Sequence, residues 1–185
     1  PTWDQALAVQ SEMFDEAGRL GGLEISLVYF RGFNECRASK WVGNAATLRD
    51  LMTRIDCRGG RTQIQRVLSR AVDETRRQRV QALVYVGDAM EEDIDHLCAT
   101  AGELGVLGVK AFLFQEGHDP TAERAFKEIA RLTGGAHVRF QSGSARELGE
   151  LLRAVAAYAA GGMTALTALS DRGSTGARLL LGPKR

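Results

Sequence analysis

Neither sign of charge prevails in this sequence. With 24 Lys+Arg against 23 Asp+Glu the net charge is +1, so no global field draws nucleic acid or an anionic membrane surface. Cysteine is scarce: Cys36, Cys57 and Cys98 are an odd number at wide spacing, without a CxxC pair or a zinc-type pattern. A reduced, cytoplasmic setting is therefore expected. No run approaches the roughly 18 apolar residues of a membrane span, and no signal peptide is visible. Nucleotide signatures are missing as well. Gly59-Gly60-Arg61-Thr62 lacks the lysine and the spacing of a phosphate-binding loop, and no GxGxxG follows a strand.

What remains is an ordinary globular composition, 44% hydrophobic and 25% charged over 185 residues, enough for one domain with a full core. Thr2-Trp3-Asp4-Gln5 has the form of a capping box, and the apolar spacing after it predicts a helix from about Trp3 to Arg19, stopped by Gly21-Gly22. Leu23 to Phe30 reads as a strand, Arg31 to Glu35 as a turn, and Cys36 to Val42 as a more polar partner strand, which makes an antiparallel hairpin. Asn44 caps a helix over Ala45 to Ile55. Thr62-Gln63-Ile64-Gln65 is a second capping box, opening a helix whose basic end, Arg76-Arg77-Gln78-Arg79, suits the negative pole of a helix dipole.

The next stretch, VQALVYVGDAMEED from Val80 to Asp93, organises the rest. Ala82 to Val86 is an apolar run of the kind buried on both faces of a parallel sheet, and it breaks at Gly87 to deliver Asp88 at the strand's carboxyl end. Ligands gather at that end of open α/β sheets. A helix from about Glu91 to Leu104 follows, then a strand over Val109 to Phe114, a helix over Thr121 to Leu132, a strand over Ala136 to Phe140 and a helix over Ala145 to Ala159. After Gly161-Gly162 the pattern weakens: Met163 to Leu169 reads as two helical turns, Ser170 to Gly176 as linker-like, and Leu179-Leu180-Leu181 as a lone apolar patch. Strand and helix alternating in this way predict an α/β, doubly wound, mostly parallel sheet with helices on both faces and one antiparallel edge strand. The expected division is a domain over residues 1–160 and a loosely held tail over 161–185.

Two polar residues occupy comparable places: Thr62, after a double glycine at a helix start, and Asp88, just past a central strand. Gly59-Gly60-Arg61-Thr62 and Val86-Gly87-Asp88, taken with the element order, resemble the second and third loops of a von Willebrand factor A domain. In that family a metal-ion-dependent adhesion site takes a D-x-S/T-x-S motif, a Thr and an Asp from three loops. The resemblance covers roughly Thr2 to Ala159 and implies a Rossmann-like fold in which Thr62 and Asp88 are metal ligands. Oxygen ligands of this kind suit Mg²⁺, or Mn²⁺ in its place. The ion then engages a carboxylate of a protein partner, and bacterial intracellular members of the family often act as adaptors beside AAA+ ATPases. The sequence departs from the family in lacking the D-x-S/T-x-S motif and the strand before it. That strand lies between the counterparts of the Leu23 and Val80 strands, so residues upstream of Pro1 are expected to complete the sheet. Direct pairing of those two strands would contradict the expectation.

Plain helix capping competes with this reading, since Thr62 with Gln65 and Asp88 with Glu91 each have the capping-box spacing, as does Ser144 with Glu147. Glu91, Glu92 and Asp93 read as a solvated first helical turn, and His96, His118 and His137 as surface, turn and packed residues. The cysteines read as small apolar residues, with Cys57 the exception, since it shares a loop with Arg58, Arg61 and Thr62 and cationic neighbours lower a thiol pKa. Two other functions stay open: a metal-dependent, hydrolase-like α/β enzyme using Asp88, Glu91 or Glu92 with His96, and a scaffold whose metal site has decayed.

Overall fold

A computed structural model describes residues 2–55 and 60–183, the side chains of residues 2 and 3 excepted. The Thr2 capping box and the Cys57-Arg58-Gly59 part of the glycine loop thus lie outside the described residues. In chain order the elements are α1 (Thr2–Val9), α2 (Ser11–Gly18), β1 (Val28–Arg31), β2 (Glu35–Ala38), α3 (Ala45–Thr53), α4 (Ile64–Arg77), β3 (Ala82–Gly87), α5 (Ile94–Val106), β4 (Lys110–Glu116), α6 (Pro120–Thr133), β5 (Ala136–Phe140), α7 (Ala145–Asp171) and α8 (Thr175–Leu181). The fold is α/β and Rossmann-like: β3, β4 and β5 form a parallel sheet in that order, and β1 with β2 an antiparallel pair. The chain divides into two compact units, one of Pro1–Leu27, Ser39–Asp56 and Phe140–Arg185, the other of Val28–Ala38 and Cys57–Arg139.

In the second unit β4 is the buried strand. Ala111, Leu113 and Phe114 are fully buried, which is what a continuous apolar run between covering helices requires. Leu97, Ala101 and Leu104 of α5 and Phe126 and Ile129 of α6 are buried too, each large side chain removed from water contributing about 1.5–3 kcal/mol. β3 pairs with β4 from Ala82↔Lys110 to Gly87↔Gln115, so the two strands end together. Yet β3 is only half-buried outside Tyr85. The antiparallel pair stands as its own sheet rather than as the edge of the parallel one. Among the described residues β1 and β3 are not paired with each other, so the direct pairing that would contradict an intervening strand is not found.

The first expected strand is shorter than its apolar run. The β1–β2 ladder ends at Val28↔Ala38, because the Ser39 hydroxyl accepts the Leu27 N–H (2.9 Å) where a carbonyl would have continued it, and Ile25↔Val42 survives only as an isolated bridge. The first expected helix is two, separated at Gln10, whose backbone is still helical (φ −62°, ψ −29°).

In the first unit Met163 to Leu169 is helical as part of α7, and the linker expected over Ser170 to Gly176 is only a short turn between the end of α7 at Asp171 and the start of α8 at Thr175. α7 continues through Gly161-Gly162 with non-helical torsions only at Gly162 (φ 70°, ψ −165°), a kink that glycine accepts without strain. Leu166, Leu169, Ala177 and Leu180 are buried, and α8 lies so close to α7 that a Cβ at Gly176 would come within 2.2 Å of the Glu150 carbonyl oxygen. The double glycine had read as a terminator because sequence spacing cannot show a helix resuming beyond a kink. α7 is also long and apolar enough to cross a membrane by length and composition, with a mean hydropathy of 1.2, and 39% of that window is buried inside the protein.

Candidate functional site

The β3 ladder brings the chain to Gly87 and leaves Asp88 exposed at the carboxyl end of the sheet. The loop from Asp88 to Asp93 then turns back over the start of α4. Two reciprocal hydrogen bonds fasten it to Thr62: the Thr62 N–H donates to Glu91 Oε2 (3.0 Å), and the Glu91 N–H donates to Thr62 Oγ1 (3.2 Å). Next along, Glu92 accepts the Ile64 N–H at Oε2 (2.7 Å) and the Gln65 N–H at Oε1 (2.9 Å). The structure thus brings Thr62 to the loop that Asp88 opens.

Local chemistry explains why Glu92 is needed there. α4 has no acid in its first turn, and Gln63 at its N-cap position makes no side-chain cap. Its first N–H groups have no acceptor within the helix, and a carboxylate facing them satisfies the donors while complementing the positive end of the dipole. Removing an acceptor that caps a helix in this way costs about 0.5–2 kcal/mol of stability. The remaining acid, Asp93, caps its own helix, accepting the Asp95 N–H at 2.9 Å.

Both local capping-box expectations are therefore corrected. Helix α4 begins at Ile64, past Thr62, and the Thr62 hydroxyl serves the Glu91 N–H instead of its own helix. Helix α5 begins at Ile94 with Asp93 as its cap, so Asp88 and Glu91 lie before the helix rather than at its start. The solvated first turn expected of Glu91, Glu92 and Asp93 is likewise a set of acids bound to backbone N–H groups. Ser144 does cap α7, accepting the Glu147 N–H at 3.2 Å.

The rest of the Thr62 loop is fixed at Gly60, which forms a parallel bridge to Gly32 in the turn between β1 and β2. A Cβ at Gly60 would lie 2.0 Å from the Gly32 carbonyl oxygen, so only glycine allows this approach. The Arg61 N–H donates to the same oxygen at 3.0 Å. Beneath the acidic loop, Tyr85 of β3 stacks on Phe30 (6.2 Å between ring centroids, 13° between planes) and meets Phe126 edge-on (5.4 Å, 72°). Burial pushes its phenol well above the ordinary value, and the negative charges of Glu92, Asp88 and Glu91 push it further. Three carboxylates thus bear on one end of β3.

Of the acids in this loop, Asp88 alone makes no bond among the described residues. Among the described residues it forms no hydrogen bond or ion pair, while Glu91, Glu92 and Asp93 are each committed to backbone. Neither a protein-family model nor a curated protein matches this chain. The case for the site rests on its own geometry.

An exposed carboxylate and a threonine hydroxyl are hard oxygen donors, the type Mg²⁺ takes together with several waters. In type, then, the donors fit such an ion. In number they supply part of a shell: among the described residues no group of three or more His, Cys, Asp or Glu is arranged to hold a metal. The other sequence candidates lie elsewhere. His96 is exposed on α5, and His118 Nδ1 contacts the exposed Arg139 guanidinium at 3.1 Å. His137 of β5 bonds through Nε2 to Gln115 Oε1 (2.8 Å), and its pKa is lowered by burial and by the nearby Lys127. Cys36 and Cys98 are free, half-buried thiols whose pKa values burial raises, which keeps them protonated. Sequence reasoning missed the anchoring role of Glu91 and Glu92. The signal that could have found it is the first turn of α4, which has no acid of its own.

Proposed function

We propose that this chain is a metal-assisted protein-binding domain, in which Thr62 and Asp88 hold Mg²⁺ or Mn²⁺ at the carboxyl end of β3 and a protein partner docks there through an Asp or Glu. One observation carries the reading. In a loop where three acids are engaged by backbone N–H groups, Asp88 is exposed and without a partner among the described residues, and Glu91 of the same loop fixes the Thr62 hydroxyl in place. The bonds of Glu91 and Glu92 fix the loop that carries this carboxylate, so taking a cation orders the Asp88 side chain without also ordering its backbone. Bound there, the cation would supply positive charge and open coordination positions for a partner's carboxylate. Thr62 and Asp88 would orient it, and Glu91 would hold the Thr62 hydroxyl.

Exposure of the site favours docking of a macromolecule over catalysis, which calls for a concave, water-excluding cleft. An adaptor role beside an AAA+ ATPase remains part of this proposal. Calorimetric titration of Mn²⁺ into the chain, with Asp88→Ala as the comparison, tests the reading. Saturable binding that the variant loses supports it. No binding, or equal binding by both proteins, overturns it.

A further inference from the structure

A cavity of about 400 Å³ lies in the first unit, between α2, α7 and the turn into α8. Its wall carries both signs of charge in equal number: Asp15, Glu16 and Glu150 against Arg19, Arg153 and Arg172. These charges do not close on one another. Arg172 Nη2 stands 3.5 Å from Glu16 Oε1, and Arg153 stands 3.6 Å from Glu12 and 3.9 Å from Glu150. Asp15 and Arg19 have no partner among the described residues. Elsewhere the cations close on their acids, as in Arg31–Glu35, Arg54–Asp50 and Arg70–Glu74 at 2.7 Å and Lys127–Glu123 at 2.6 Å. The longer contacts outside the cavity, Arg77–Glu74 at 3.9 Å and Arg139–Glu123 at 3.6 Å, go to acids that already hold a close cation.

Glu16 is the informative side chain. It is only 8% exposed, a burial at which a carboxylate is normally both paired and hydrogen-bonded. Among the described residues its oxygens accept no hydrogen bond, and its one cation, Arg172, is itself 61% exposed. Nor are those oxygens sealed in packed protein, since Glu16 lines the cavity and its oxygens open onto it. The cavity therefore presents a buried carboxylate with unfilled acceptor positions beside guanidinium groups whose N–H forks are unused.

We propose that this cavity binds a free α-amino acid, its ammonium donating to Glu16 and its carboxylate taken by Arg153 and Arg172. A wall of balanced charge selects a ligand that carries both signs, because a simple anion would meet three carboxylates and a simple cation three guanidinium groups. An ammonium brings three donors to acceptors that lack them, and the guanidinium fork matches a carboxylate. The volume is at the lower end of the roughly 300–1,000 Å³ of small-molecule sites, which suits a molecule of this size.

The test is calorimetric titration at constant ionic strength with glycine, leucine, lysine and glutamate. Each is compared with its N-acetyl derivative, which lacks the ammonium, and with its amide, which lacks the α-carboxylate. At least one amino acid is expected to bind saturably and roughly 10-fold more tightly than either of its derivatives. Glu16→Gln should weaken that binding about 10-fold or more, and so, separately, should Arg153→Gln. The second variant leaves the buried Glu16 in place, so a folding defect of the first does not decide the matter. Absence of saturable binding by all four amino acids, derivatives that bind as tightly as their parents, or binding unchanged in both variants overturns the proposal.

Discussion

Asp88 and Glu92 belong to the same short loop after β3 and carry the same charge. The Glu92 carboxylate is closed on both oxygens by N–H groups of α4, at 2.7 and 2.9 Å. Asp88 is exposed, with no bond among the described residues. The difference arises on the other side of the contact, in a helix that begins without an acid or a side-chain cap and must borrow an acceptor from elsewhere in the fold. In a run of acidic residues, then, those that face backbone N–H groups are structural, and the one left over makes no bond among the described residues.

Substitution at Glu92 is expected to have the largest effect on this comparison. Glu92→Ala removes both bonds to α4 and should destabilise the fold by about 2 kcal/mol, seen as a lower midpoint in urea unfolding with an unchanged slope. Glu92→Gln, which keeps an acceptor oxygen and loses the charge, should cost about half as much. The reciprocal pair comes next. Glu91→Ala and Thr62→Val should each cost about 1 kcal/mol, and the double variant less than the two together by about 0.5 kcal/mol or more, because the two bonds fail as a unit. Gly60→Ala should be destabilising through the backbone clash with Gly32, which limited proteolysis near residue 60 would report. The smallest effect belongs to Asp88→Ala, which should leave unfolding within about 0.5 kcal/mol of the parent.

The alternation of strand and helix from β3 onward was legible in the sequence because it depends on local signals. The apolar run at Ala82 to Val86 and the Gly87 break locate β3, and Asp119 before Pro120 marks the start of α6, where its side chain accepts the Ala122 N–H. Helix α7 was legible only as two pieces, Ala145 to Ala159 and two turns over Met163 to Leu169, since a kinked glycine and a terminating glycine look alike without the packing of α8. At the candidate site, Thr62 and Asp88 stood out by their places after a glycine pair and after a strand. The bonds from Glu92 to α4 did not, because they join residues 28 and 27 positions apart and leave no periodicity to read.

The division of labour between the two acids is tested most directly by measuring Mn²⁺ affinity and urea stability side by side for the parent chain, Asp88→Ala and Glu92→Ala. The account predicts a crossed result: Asp88→Ala keeps its stability and loses Mn²⁺ binding, whereas Glu92→Ala loses stability and, while folded, still binds the ion. An Asp88→Ala variant as destabilised as Glu92→Ala, or one that binds Mn²⁺ as the parent does, would contradict it.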